Sequence, residues 1–244
     1  SLQDDRDMID LFTPVVTTQQ RHEHYQALSL PHAEPERRVL ESWARGFIDR
    51  DGKFVREFQT SFWPSIWELY LNAALRDLGC QIDYSHAAPD FDVRSPAGPF
   101  IAEAAVALEA AGYVSERHRP GGELLPRLDV SAMVEYATVR LANTLSTKLD
   151  RYRKSYRKLP HVTGRPFVVC IAPYEQPLAF VQNDQAMRRV LYAYDSPVWV
   201  GGEGSMGKTV VGHTWSRSVE KDSGAKIQLG FFTDERAVEI SAVL

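Results

Sequence analysis

Apolar positions along the chain follow helical spacing up to Leu78, strand spacing from Cys80 to Leu108, and helical spacing again from Ser131. Leu40, Trp43, Ala44, Phe47 and Ile48 recur at three-and-four intervals, which predicts a short amphipathic helix over Leu40 to Ile48. Phe62 to Leu78 is apolar on more than one face. With Ser61 placed to cap it and Pro64 in its first turn, it predicts a buried helix ended by Gly79. Cys80 and Ile82 then alternate with Gln81 and Asp83, as a strand requires. After a turn at His86 to Pro89, Phe91 and Val93 point one way and Asp90, Asp92 and Arg94 the other, the period of a half-exposed strand. A second turn at Ser95 to Pro99 leads into Phe100 to Leu108, apolar but for Glu103, which predicts a central strand buried on both faces.

Beyond that run, Glu109 to Leu128 mixes glycine, proline and charge and reads as an exposed connection. Ser131 to Leu159 predicts a long helix with Val134, Thr138, Leu141, Leu145 and Tyr152 on one stripe. Phe167 to Ala172 is the next buried strand. From Ala186 onward come a short helix and strand-like pieces at Val198–Val200, Thr209–Thr214, Ile227–Phe232 and Val238–Leu244. The order helix, three strands, helix, strand defines an α/β unit. We divide the chain into an N-terminal helical extension over 1–58, the α/β core over 59–182 and a strand-rich C-terminal extension over 183–244. The apolar ending Ile240 to Leu244 leaves room for a natural chain that continues.

Composition narrows the class. With 44% hydrophobic and 25% charged residues in 244, no stretch approaches the roughly 20 uninterrupted apolar residues of a spanning helix, so no membrane is expected. Ser1 to Asp10 is acidic and polar, unlike a secretory signal, and the cytoplasm is the default location. Cys80 and Cys170 lie far apart in apolar surroundings and read as reduced core thiols. A net charge of −4 argues against coating nucleic acid through bulk charge. Locally, however, Arg140, Lys148, Arg151, Arg153, Lys154, Arg157, Lys158 and Arg165 are opposed by Asp150 alone. That run is either a solvated helix face or a phosphate-binding one.

The acids carry the chemistry. A carboxylate among Phe100, Ile101, Ala102, Ala104, Ala105 and Val106 costs several kcal/mol unless it is paired, protonated or bound to a cation. A divalent metal is the economical partner for Glu103, and Asp90 on the neighbouring strand supplies a second oxygen ligand. Phosphodiester hydrolysis wants such a site, holding Mg²⁺ or Mn²⁺ to polarise phosphate and activate water.

Pro89-Asp90, a gap from Phe91 to Ala102, and Glu103-Ala104-Ala105 resemble the PD-(D/E)-x-K nuclease superfamily. That family commonly carries a further glutamate on the preceding helix, where Glu68 stands in Trp67-Glu68-Leu69-Tyr70. The resemblance spans about Ser61 to Ala172, and the runs around Trp67 to Leu71, Pro89 to Phe91 and Phe167 to Ile171 are similar to those of uncharacterised bacterial members. It implies a restriction-endonuclease-like αβββαβ core, with Glu68, Asp90 and Glu103 catalytic, and the metal held by Asp90, Glu103 and the Ala104 carbonyl. Where the superfamily has its lysine, this chain has Ala105. Within the superfamily that lysine can migrate to the following helix, and Lys148, on the apolar stripe with Leu141 and Leu145, is the candidate. Its alternative is a lysine whose stem packs while its head reaches water. Asp92 rivals Asp90, or else is an exposed strand acid. His86 reads as a hydrogen-bonded turn residue.

Gly202 to Thr209 satisfies the phosphate-loop pattern G-x-x-x-x-G-K-[ST]. That loop needs a helix after it, whereas Thr209 to Trp215 is β-branched, broken by Gly212, and predicts a hairpin. Three readings therefore stand. The first is a metal-dependent nuclease acting on DNA in bacterial defence, restriction or repair, with Arg151, Lys154 and Lys158 on the nucleic acid and a homodimer as an allowed assembly. The second is a degenerate nuclease-fold module that binds nucleic acid or a protein. The third, least favoured, is a nucleotide-binding protein through residues 202–209.

Overall fold

Four α-helices precede the first strand in the computed structural model, which describes residues 9–108, 129–174, 179, 182–200, 209–221 and 223–244. They are α1 (Glu23–Leu28), α2 (Glu34–Trp43), α3 (Phe54–Thr60) and α4 (Trp63–Asp77). The Leu40–Ile48 periodicity is only partly helical. Helix α2 starts earlier and stops at Trp43, because Gly46 adopts φ 67°, a left-handed conformation that ends the helical path. Phe47 is nonetheless buried, while Ile48 is exposed.

Helix α4 is apolar on more than one face because it serves two clusters. Ile66 and Leu69 join Leu11, Tyr25, Phe47 and Phe58 in one. Leu71 and Leu75 join Phe91, Val93, Ala102 and Val168 in the other, against the sheet. Ser61 does not cap α4. Phe62 occupies the N-cap position at φ 55° with no side-chain cap, a conformation that costs a bulky residue energy. Its buried ring, stacked on His22 and His24, offsets that cost through packing.

The strands β1 (Gln81–Asp83), β2 (Phe91–Ser95), β3 (Gly98–Val106), β4 (Phe167–Ala172) and β9 (Ala242–Val243) form one sheet in the order β1-β2-β3-β4-β9. The first two pairings are antiparallel, and β3–β4 and β4–β9 are parallel. The fold is therefore mixed α/β. Between β3 and β4 the chain passes through α5 (Val130–Lys154) and a 3-10 turn at Tyr156–Lys158, so the helix ends before Leu159. The buried stripe Val134, Thr138, Leu141, Leu145 and Leu149 matches the predicted periodicity, and Tyr152 is half-buried, stacked on Phe167 at 4.5 Å.

The chain divides into two compact units. One comprises Ser1–Val106, Arg151–Ala172 and Ser241–Leu244, the other Ala107–Asp150 and Pro173–Ile240. These differ from the divisions after residues 58 and 182, because the chain end returns to the first sheet through β9. The second unit holds most of α5, α6 (Gln185–Tyr192), the antiparallel pair β5 (Tyr194–Val200) and β6 (Thr209–Trp215), and the short pair β7 (Ser218–Glu220) and β8 (Lys226–Gln228). The expected strands at Ile227–Phe232 and Val238–Leu244 shorten accordingly. Gly230, at φ 78°, breaks the first, and a 3-10 turn at Glu235–Ala237 leaves only Ala242–Val243 paired. The connection Glu109–Leu128 lies outside the described residues. Among the described residues, no helix is long and apolar enough to cross a membrane.

Fully buried Gln59 ties the N-terminal segment to α3. Its Nε2 donates to the carbonyls of Leu11 (3.2 Å) and Thr13 (2.9 Å), and its Oε1 accepts from Val15 N–H (2.9 Å). Gln59→Leu keeps the volume but leaves these groups unsatisfied, so stability should fall by about 1–3 kcal/mol. Urea denaturation checks this, with a lower midpoint at unchanged slope as the expected outcome.

Candidate metal centre

Glu103 sits in the middle of β3, where the alternation that buries Ile101 and Ala105 buries its carboxylate as well. Only 1% of the residue is exposed. Two groups meet it, Arg151 from the last turn of α5 and Tyr156 from the 3-10 turn that follows. The Tyr156 hydroxyl donates to Oε1 at 3.2 Å, and the Arg151 guanidinium approaches the same oxygen at 3.6 Å. The arginine lies beyond hydrogen-bond length and its side chain is 57% exposed, so it neutralises charge without being locked in place. Its guanidinium also stands 5.3 Å from the Tyr156 ring centre. Burial first, and then the charge of Glu103, push the Tyr156 hydroxyl well above its usual range, so it stays a donor.

Asp90 precedes β2, whose first residue pairs with Ala102. Its Oδ2 accepts from the Ala104 backbone N–H at 2.8 Å, which fixes this carboxylate beside Glu103. The turn that delivers Asp90 is held from behind by Arg50, whose guanidinium donates to the carbonyls of His86 and Pro89. The thiol of Cys170, across from Ala104 on β4, is pushed up to about 12 by burial and by the charges of Asp90 and Glu103. It remains a protonated core group.

Helix α4 contributes Glu68. Burial raises its carboxyl to about 8, with Asp90 the next cause and Glu103 a smaller one, against the opposing pull of Arg50. The three acids singled out in the sequence thus act on one another electrostatically. The donor set is all oxygen, as a hard divalent ion prefers, so the residues fit Mg²⁺ or Mn²⁺. A cation bound here would relieve the part of that shift that comes from the charges of Asp90 and Glu103, burial being the larger part.

The remaining candidates lie as follows. Ala104 and Ala105 are buried in β3. Lys148 is half-buried on α5, in the portion assigned to the second unit. Lys154 and Lys158 are exposed, on the end of α5 and on the 3-10 turn after it. Residues 202–208 of the phosphate-loop pattern lie outside the described residues, and Thr209 opens strand β6 rather than a helix.

The reading of Asp92 as an exposed strand acid requires a correction. The residue is 7% exposed, and its Oδ1 accepts from Arg165 at 2.6 Å. The same guanidinium group donates to the carbonyls of Val93 and Phe100, both at 3.1 Å, and of His161 at 3.0 Å. A partner supplied from the loop before β4 is invisible to strand periodicity. Asp92 also belongs to a constellation the sequence reading missed, in which Asp83, His86 and Asp92 bring ligand-type atoms within 4.8 Å of one another. The available signal was register: if the Cys80–Tyr84 and Asp90–Arg94 strands pair, Asp83 faces Asp92.

Comparison of the chain with protein-family models, with curated proteins and with solved structures gives no match. Fold and site together define a mixed α/β protein with a buried acidic centre.

Glu68 carries a pH prediction. Its carboxyl holds a proton to about 8 in the folded chain but only to about 4.5 when unfolded. Below about pH 4.5 both states are protonated and the group costs nothing. Above it the unfolded chain releases its proton first, so stability falls as pH rises towards 8 and stays lowered beyond. In chelator, Glu68→Gln should gain melting temperature over the parent, with a gap that widens from about pH 5 to 8. A gap that is constant or narrows across that window contradicts the shift.

Proposed function

We propose that this chain is a divalent-metal-dependent phosphodiesterase that cuts nucleic acid, taken to be DNA, on a restriction-endonuclease-like core of the PD-(D/E)-x-K type. The observation that carries the reading is the placement of Asp90, hydrogen-bonded to the Ala104 N–H, beside buried Glu103. The order α4-β1-β2-β3-α5-β4 and Glu68 on α4 agree with it.

Asp90, Glu103 and the Ala104 carbonyl would hold Mg²⁺ or Mn²⁺, which when bound polarises a phosphate and makes a neighbouring water more acidic. The chain's own residues do the rest. Tyr156 orients the Glu103 carboxylate and Arg151 offsets its charge, Arg50 fixes the turn that presents Asp90, and Glu68 is poised to hold or give up a proton near neutral pH. The exposed cations Arg151, Lys154 and Lys158 meet the phosphate backbone, giving affinity that weakens with salt. Such a nuclease suits bacterial defence, restriction or repair.

The second reading, a degenerate module that binds nucleic acid or protein without cutting, is favoured by Ala105 at the family's lysine position and by the Arg151 guanidinium against Glu103.

Purified protein with Mg²⁺ or Mn²⁺ should cleave linear or circular DNA, and Asp90→Ala and Glu103→Ala should abolish that cleavage. Lys148→Ala, which tests the lysine chosen from the sequence, should lower the rate by about 10²-fold, the scale of losing one charge-stabilising group. Metal-dependent binding with no cleavage of DNA or RNA selects the degenerate reading.

A further inference from the structure

On the rim of the first sheet, Asp83 of β1 and Asp92 of β2 face each other directly in the antiparallel register. Like charges in that relation repel across strands. His86, from the turn joining the two strands, completes the group, with ligand atoms of all three residues within 4.8 Å of one another. Nδ1 of His86 lies 3.7 Å from Asp92 Oδ2 and 3.2 Å from the Ser85 hydroxyl.

Each of these side chains is oriented from behind. Asp83 Oδ1 accepts from Ser85 N–H at 2.9 Å. Asp92 Oδ1 is held by Arg165 at 2.6 Å, which turns Oδ2 towards His86. The His86 ring is stacked on His161 at 3.7 Å, and His161 is itself held at 2.9 Å from the Ala88 carbonyl. Outer partners that fix ligand rotamers in this way are what a metal site requires. Of the three, Asp83 also lines an open cavity of about 510 Å³, together with Tyr84, Ser85 and Arg94.

We infer that Asp83, His86 and Asp92 form a second divalent-metal site, distinct from the acidic centre and independent of the nuclease reading. One imidazole and two carboxylates select a borderline transition ion such as Zn²⁺ over Mg²⁺, with water completing the coordination shell. Arg165 neutralises one face of Asp92 and Arg94 lies 3.9 Å from Asp83, so the ion sits between partly compensated acids and its affinity is moderate. Binding there would clamp β1, β2 and their connecting turn, the segment that ends in Pro89-Asp90.

The test uses the full chain carrying Asp90→Ala and Glu103→Ala, which removes the acidic centre whatever its activity. Calorimetric titration with Zn²⁺ should show one saturable site, and Co²⁺ should give the visible absorption of a nitrogen-containing coordination shell. Adding His86→Ala should weaken Zn²⁺ at least tenfold and abolish that absorption, and Asp83→Asn should weaken Zn²⁺ by a similar factor. Both substituted positions are half-buried, and unchanged circular dichroism would verify folding. Asp92 is left intact because it anchors Arg165. Zn²⁺ affinity that is undetectable, or that is the same with and without His86, overturns the inference.

Discussion

The charge of Glu103 is the constraint around which the first unit is arranged. A carboxylate in the centre of an apolar strand is tolerated only with compensation. The chain supplies it from a distant segment, the Arg151 guanidinium from the last turn of α5 and the Tyr156 hydroxyl from the 3-10 turn after it. Replacing Glu103 by an apolar residue would make an easier core, which is why its presence argues for chemistry rather than stability. Asp90 adds a second negative charge beside it, and burial keeps a third acid, Glu68, protonated into the neutral range. The arrangement is electrostatically expensive, and a divalent cation relieves it at a stroke.

Rigid support keeps these groups in place. Helix α4 carries Glu68 between two apolar clusters, and the Trp67 indole beside it donates to the Cys170 carbonyl of β4 at 2.9 Å. Arg50 and Arg165 act from well-separated parts of the sequence on neighbouring stretches of the chain, the turn before β2 and β2 itself. Arg50 holds the His86 and Pro89 carbonyls, while Arg165 gathers Asp92 with the carbonyls of Val93, Phe100 and His161. Charges thus set the position of Asp90 as much as apolar packing does.

Local pattern made much of this legible. The α4-to-β4 order, the buried β3 and the stripe on α5 follow from periodicity and turn chemistry, and the three acids stood out because each broke an apolar pattern or followed a proline. What was hidden depended on distant partners. Asp92 read as exposed because its partner Arg165 lies in a different segment. Ser61 lost the cap position to Phe62 because a stacked aromatic ring outweighed the preference for a hydroxyl cap. The return of Ala242–Val243 to the edge of the main sheet is a long-range pairing that no local spacing encodes. The guanidinium of Arg151, picked out of a basic run as a phosphate contact, also stands 3.6 Å from the most buried acid of the site, a proximity that the run itself does not show.

The central claim is that Asp90 and Glu103 are metal ligands and not merely a tolerated pair of buried charges. Crystals grown or soaked in Mn²⁺, with anomalous difference density collected for that metal, test it most directly. The account predicts an anomalous peak within coordination distance of both carboxylates and of the Ala104 carbonyl, lost in Glu103→Gln crystals. A well-ordered site in which Arg151 or a lysine ammonium bridges the two carboxylates, with no peak at saturating Mn²⁺, would contradict it.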